Sequence, residues 1–176
     1  MKNLLILGAG GHGRVVAETA RVMRDTEGNP VYDKIDFLDD LKPGAVGKIN
    51  DLPVFKKEYQ DVFPAVEKYK QRLEMYAKAK RFGFTVPVLI HSEAYVSPSA
   101  TIGEGTVILP KAVVHAGANI GKECILSIGS LIDYDCVMED GVHLDCGAII
   151  KGSIIPEGER IPCGMAIENQ KEIRKG

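Results

Sequence analysis

Tryptophan is absent from this chain, and all aromatic residues together make up only 6% of it. A core so poor in rings must be filled with aliphatic side chains. No apolar stretch approaches the roughly 20 residues that a membrane-spanning helix needs. The opening run Leu4–Leu7 is too short for a secretion signal, and glycines and Arg14 follow it at once. Neither sign of charge dominates: a net charge of −2 leaves no basic surface for nucleic acid or an anionic membrane. Cysteine is scarce. Cys124, Cys136, Cys146 and Cys163 show no CxxC spacing, and no histidine lies at zinc-finger distance. They read as small buried residues in a reducing compartment. The expectation is a cytoplasmic protein without a metal centre.

What is there divides into two halves. At 176 residues the chain makes one domain or two small ones. Leu4–Leu7 is a short apolar run of the kind that forms a buried parallel strand. Gly8-Ala9-Gly10-Gly11-His12-Gly13-Arg14 follows, and then apolar residues recur at helical spacing through about Arg24. In this strand–turn–helix the glycines let backbone approach a phosphate, and the helix start offers free N–H groups. Ile35–Leu38 reads as a second strand ending at Asp39 and Asp40, acids placed to accept hydrogen bonds from a ribose or a base. Val62–Val66 reads as a third strand kept from the sheet centre by Pro64. Tyr69–Phe82 reads as an amphipathic helix and Val86–Ile90 as a fourth strand. Residues 1–85 thus resemble half of a Rossmann unit. A full dinucleotide needs two halves, so a mononucleotide or nucleotide-sugar fits the size better than NAD.

Residues 86–176 carry an internal repeat of six. Counted in sixes from Ile90, the first positions run Ile90, Val96, Ile102, Ile108, Val114, Ile120, Leu126, Ile132, Met138, Leu144 and Ile150, all large aliphatics. The fifth positions, from Ala94 to Ala148, hold nothing larger than valine. Neither a helical period near 3.6 nor a strand period of 2 gives this pattern. A triangular coil does, with one large side chain per side filling the interior and a small one at each corner. Three sixes make one coil, so residues a full coil apart stack. The fold class is therefore an α/β Rossmann-like N-terminal domain followed by a left-handed parallel β-helix. The register slips after Ile150, and Ile155, Ile161 and Ile167 continue it for one short coil, closed by the charged tail Glu168–Lys175.

The glycine-rich turn, Phe37-Leu38-Asp39-Asp40, Leu89-Ile90-His91, and Asp133-Tyr134-Asp135-Cys136-Val137 followed by Val142-His143 together resemble the bacterial nucleotide-sugar acetyltransferases. These include sialic acid O-acetyltransferases and bacillosamine-type N-acetyltransferases. The resemblance implies a UDP- or CMP-sugar site at Gly8, Gly10, Gly11, His12, Gly13, Arg14, Asp39 and Asp40. It also implies a homotrimer, with acetyl-CoA and acceptor meeting between neighbouring β-helices and the cofactor beside His143 and Gly152. The family's general-base histidine falls at Tyr134 here. Further departures are Ser127 for a common asparagine, Glu67-Lys68-Tyr69 after the third strand, and a β-helix about two coils short.

A phenol with a pKa near 10 is a poor base at neutral pH. His115 lies one full coil before Asp133, so the two side chains should be neighbours. The pair is either a relocated base or a surface contact. His91 reads as structural. A γ-type carbonic anhydrase would need three convergent histidines, and only His115 and His143 are available. Two readings of function stay open: an acetyl-CoA-dependent acetyltransferase of a nucleotide-linked sugar, or a catalytically degenerate relative with a binding or structural role.

Overall fold

The structure is a computed structural model describing residues 2–169. The chain divides into two compact units between Ser92 and Glu93. In the first unit, β1 (Lys2–Leu7), β2 (Tyr32–Leu38) and β3 (Asp61–Pro64) form a parallel sheet in the order β2-β1-β3. The central strand is the uniformly apolar run: Leu4, Leu5, Ile6 and Leu7 are completely buried. α1 (Gly11–Val22) follows β1 and buries Val16, Ala17 and Ala20. α2 (Tyr69–Arg81) follows β3. One core cluster includes Leu5, Leu7, Leu38, Leu52, Val62, Ala79 and Phe84.

Boundaries differ from expectation in explicable ways. α1 ends at Val22 because Arg24 is already in an antiparallel bridge with Pro30. β2 begins at Tyr32 rather than Ile35 and pairs with β1 along its whole length. β3 is shifted to Asp61–Pro64, and Pro64 ends an edge strand, where its missing N–H costs no ladder bond. The expected strand Val86–Ile90 shrinks to β4 (Leu89–Ile90), while Thr85 bridges Asp61. A 3₁₀ segment at Ile49–Lys57 was not expected, since Pro53 interrupts any apolar periodicity. It buries Leu52 alone.

The second unit is the β-helix. Its strands are β5 (Tyr95–Val96), β6 (Thr101–Ile102), β7 (Val107–Ile108), β8 (Val113–Val114), β9 (Asn119–Ile120), β10 (Ile125–Leu126) and β11 (Leu131–Ile132). The series continues with β12 (Val137–Met138), β13 (His143–Leu144), β14 (Ile149–Lys151), β15 (Ile154–Ile155), β16 (Arg160–Ile161) and β17 (Ala166–Glu168). Every third strand pairs in parallel, giving three faces that run β5-β8-β11-β14-β17, β6-β9-β12-β15 and β7-β10-β13-β16. The second residue of each strand points inward: Ile108, Leu126 and Leu144 are completely buried in one column. Burying each such side chain contributes about 1.5–3 kcal/mol.

The slip after Ile150 is real. Met138 pairs with Ile155 and Leu144 with Ile161, each partner one position short of a full coil of three sixes. Gly152, at φ +54°, makes the tightened corner. A signal beyond the large first and small fifth positions is the fourth position of the repeat, where from residue 105 onward the corner takes a left-handed backbone. Glycine serves it at residues 105, 117, 129, 141 and 147, while Lys111, Glu123 and Asp135 adopt it at a cost of about 1–2 kcal/mol each. The cysteines also divide. Cys124 and Cys136 are buried at small corner positions as expected, but Cys146 and Cys163 are exposed. The tail from residue 170 lies outside the described residues, and among those described no helix is long and apolar enough to cross a membrane.

Candidate functional site

The glycines of the first turn fall into two kinds. A Cβ on Gly13 would stand 2.0 Å from the Gly8 carbonyl oxygen, and one on Gly8, at φ +109°, would stand 2.9 Å from the Ala65 oxygen. The fold itself needs those two. A Cβ on Gly10 or Gly11 would meet nothing within 4 Å. Both lie at the start of α1, which has no side-chain cap and no acid in its first turn. His12 is half-buried and Arg14 exposed in that same turn. The open side of the turn lies at the carboxyl end of β1, where the chain passes to β2 on one side and β3 on the other. That switch point is where open α/β sheets bind ligands.

Asp39 is tied to this turn. Its Oδ2 accepts the Ala9 N–H at 2.8 Å, and its Oδ1 accepts the Leu41 and Lys42 N–H groups at 2.9 Å each. Burial pushes its pKa up, but these three bonds and the charge of Lys42 together outweigh it and hold the carboxyl below its usual range. Asp40 accepts the Ile49 N–H at 3.1 Å. Both acids therefore shape the loop, and Asp39 keeps little free acceptor capacity. On the other side of the switch point Glu67 and Lys68 are exposed, and the carbonyls of Val66 and Glu67 accept bonds of 2.9 and 2.8 Å from the buried Arg72 guanidinium.

The β-helix carries two side-chain clusters. In the first, His115 Nδ1 stands 3.5 Å from Asp133 Oδ1, which also accepts the Tyr134 N–H at 2.9 Å. The Tyr134 ring is 57% exposed and meets His115 edge-on at 6.4 Å between centroids. Asp135 follows in a left-handed conformation. In the second, buried His143 on β13 places Nε2 3.2 Å from Ser127 Oγ and 3.2 Å from Asp145 Oδ1. Arg160 on β16 grips both Asp145 oxygens at 2.8 and 2.9 Å. That guanidinium, helped by His143, holds the Asp145 carboxyl low against the opposing effect of burial. A serine–histidine–aspartate relay uses opposite ring nitrogens. Here serine and aspartate share one, so Ser127 is not an activated nucleophile.

The sequence pattern singles out His143 but not Asp145 or Arg160. The shortened coil, which pairs His143 with Arg160, was the available signal. The two clusters sit on different faces: His115 and Asp133 follow β8 and β11, while His143 stands on β13. Gly152 stands one coil beyond the Tyr134–Asp135 corner, since Ile132 pairs with Ile150 and Val137 with Ile154, and its Cβ position is 2.9 Å from Asn169 Oδ1. An open groove of about 490 Å³ on the β9–β12 face was also unforeseen. Glu139, Asp140 and Glu157 line it, a poor match for a phosphorylated ligand. Among the described residues no group of three or more His, Cys, Asp and Glu side chains could hold a metal ion.

Comparison with known proteins meets this architecture from both ends. Residues 3–79 match the family model for the PglD N-terminal domain. Over 96% of its length the chain superimposes on the acetyltransferase domain of PglB from Neisseria gonorrhoeae, solved in complex with acetyl coenzyme A. The TM-score is 0.87, identity is 35%, and 83% of that chain is covered. The chain belongs to this PglD/PglB acetyltransferase family. Its relatives include the UDP-N-acetylbacillosamine N-acetyltransferase of Bacillus subtilis, 36% identical over 115 residues. That alignment takes in 62% of this chain and 52% of the relative, so the chain spans about half the length of the curated relative it matches. A mutant of GDP-perosamine N-acetyl transferase from Caulobacter crescentus, in complex with CoA and GDP-perosamine, shares the fold. It has 24% identity and a TM-score of 0.73 over 96% of this chain and 92% of that one.

Proposed function

We propose that this family member is an acetyl-CoA-dependent acetyltransferase of a nucleotide-linked amino sugar, working with a weakened general base. The observation that carries this reading is the likeness, over nearly the whole chain, to a domain that binds acetyl coenzyme A. The nucleotide is assigned to the turn Gly10–Arg14, where the two glycines that the fold does not require leave the backbone at the start of a helix open to close approach. The sugar is assigned to the edge near Asp39 and Asp40. Acetyl-CoA is assigned to the cleft between neighbouring protomers, with His143 on one side and the Gly152 backbone, beside the Tyr134 corner, on the other. Imidazole, hydroxyl and turn backbone suit the amides and the thioester of that cofactor, which supplies the acetyl group. The amine attacks the thioester carbonyl, and the thiol leaves with the proton that the amine gives up.

The apolar outward residues of the first face favour a homotrimer. Tyr95, Val113, Leu131, Ile149 and Ala166 form one column, with Tyr95 53% and Ile149 38% exposed. Packing such faces together would let the Tyr134 cluster of one protomer meet the His143 cluster of the next, which one β-helix keeps on separate faces.

Tyr134 favours the second reading, a degenerate trimer that binds without turnover. Thiol release from acetyl-CoA, measured with a panel of UDP-, CMP- and GDP-linked amino sugars, separates the two. Acetylated product confirmed by mass supports the enzyme. Absence of turnover with every acceptor, together with no acetyl-CoA binding by calorimetry, would overturn it.

A further inference from the structure

Cys146 and Cys163 occupy the same corner of successive coils. The paired residues Leu144–Ile161 below them and Ile149–Ala166 above them bracket both, so each cysteine is the second residue after a paired strand end. The single-position slip after Ile150 is what brings them into step. Backbone bonds close the ladder on either side. The Asp145 N–H donates to the Ile161 carbonyl at 2.9 Å, and the Gly164 N–H donates to the Cys146 carbonyl at 3.0 Å.

Parallel strands so paired lie about 4.8 Å apart. That is within the roughly 4.4–6.8 Å between Cα atoms that a disulfide spans. Both cysteines are free and exposed. Their corner positions are equivalent, so both side chains leave the coil in the same direction. In the two coils beneath, the same corner holds Pro110 and Ile128, linked by the same bond pattern at 3.1 and 3.0 Å. Nothing in the coil geometry therefore calls for cysteine at this position. The other two cysteines differ: Cys124 and Cys136 are buried and donate Sγ–H bonds to the carbonyls of Glu139 and Ile150.

We infer that Cys146 and Cys163 form a dithiol site that low-molecular-weight disulfides oxidise to an intrachain disulfide. The thiolate of one cysteine attacks a sulfur of the small disulfide and releases one small thiol, leaving a mixed disulfide. The second thiolate then attacks the protein sulfur of that mixed disulfide and expels the second small thiol. The two protein thiols are oxidised, the small disulfide is reduced to two thiols, and the protons pass to the leaving sulfurs. The new bond ties β13 to β16, the strands that carry His143 and Arg160.

The experiment uses the folded, reduced protein. Alkylation should label Cys146 and Cys163 and spare Cys124 and Cys136. Treatment with glutathione disulfide, followed by alkylation and digestion without reductant, should give a linked peptide pair joining Cys146 to Cys163 and abolish labelling of both. In Cys146→Ser, Cys163 should stop at the glutathione mixed disulfide. The inference is overturned if the parent protein under excess oxidant retains both thiols, holds glutathione on each, or forms only links between chains.

Discussion

His115 Nδ1 stands 3.5 Å from Asp133 Oδ1 although a whole coil of sequence separates them, because the β-helix returns the chain to the same corner. The carboxylate that faces this imidazole also accepts the N–H of Tyr134, and the Tyr134 ring lies edge-on to His115. Position 134 is where the family resemblance puts a general base. The residue there is a phenol, and a titratable ring stands in the adjacent coil. Two base assignments follow, and they make opposite forecasts. If the base is simply missing, Tyr134→His should raise turnover by about 100-fold or more, the usual worth of general-base catalysis. If His115 has taken over, His115→Ala should abolish turnover and Tyr134→His should add nothing. Single-turnover rates on the parent and both variants, with one amino-sugar acceptor, decide between them. We expect the first pattern, since His115 is half-exposed.

The glycine turn can be tested by making it more stable. Gly11 is the first residue of α1 and its Cβ direction is open. Gly11→Ala should therefore leave stability unchanged or raise it by up to about 1 kcal/mol. A nucleotide approaching that backbone would meet the new methyl group, and its affinity should fall at least tenfold. Gly13→Ala is the contrast: the added methyl would sit 2.0 Å from the Gly8 oxygen and should destabilise the first unit outright. Thermal melts and calorimetry with a nucleotide-sugar check both. Unchanged affinity in Gly11→Ala would make the turn purely structural.

The β-helix was legible because its interior admits one large side chain in six, a constraint strong enough to show in every repeat. The column through Ile108, Leu126 and Leu144 could be written down from spacing alone, and even the slip to Ile155 and Ile161 left its mark. The clusters were harder to read. His115 and Asp133 could be paired because they lie within the regular region. Asp145 and Arg160 could not, because their contact spans the slip and joins positions 15 apart. In the first unit, the pattern places Asp39 at the end of a strand, and it stands there. Its engagement with the Ala9, Leu41 and Lys42 amides depends on loop conformation, which no periodicity encodes.

Two carboxyls engaged by the fold should contribute to the loss of stability in acid. Asp39, through its backbone N–H bonds, and Asp145, through Arg160, both have folded pKa values held below the ordinary aspartate range. A lowered folded pKa contributes stability that is fully present above the unfolded value, about 3.9, and is lost as pH falls through the folded value. Melting temperature attributable to these groups should thus hold from neutral pH down to about 5 and drop below about 4. Asp39→Asn should flatten that drop for the first unit and lower stability at neutral pH, because an amide nitrogen replaces an acceptor of backbone N–H bonds. Melts in a pH series, followed by circular dichroism, test this. An acid limb of equal steepness in the variant would remove Asp39 from the account.

The outward column Tyr95, Val113, Leu131, Ile149 and Ala166 makes the assembly testable. Large contiguous apolar patches are uncommon on monomers and mark interfaces. A flat parallel face repeated coil after coil can pack around a common axis with closed symmetry. Light scattering should therefore give a mass near three times the 19.1 kDa of the chain. Leu131 sits mid-column, pairing with Val113 on one side and Ile149 on the other, and its outward side chain is only partly buried in one chain. Leu131→Arg adds a charge that the isolated coil can leave in water but a packed face cannot, so it should convert the assembly to monomers with the far-ultraviolet spectrum retained. Turnover should fall with it if the Tyr134 and His143 clusters work across the boundary between protomers. A parent protein that runs as a stable monomer would end the trimer proposal. A monomeric Leu131→Arg variant with full turnover would show that each β-helix holds a complete site of its own.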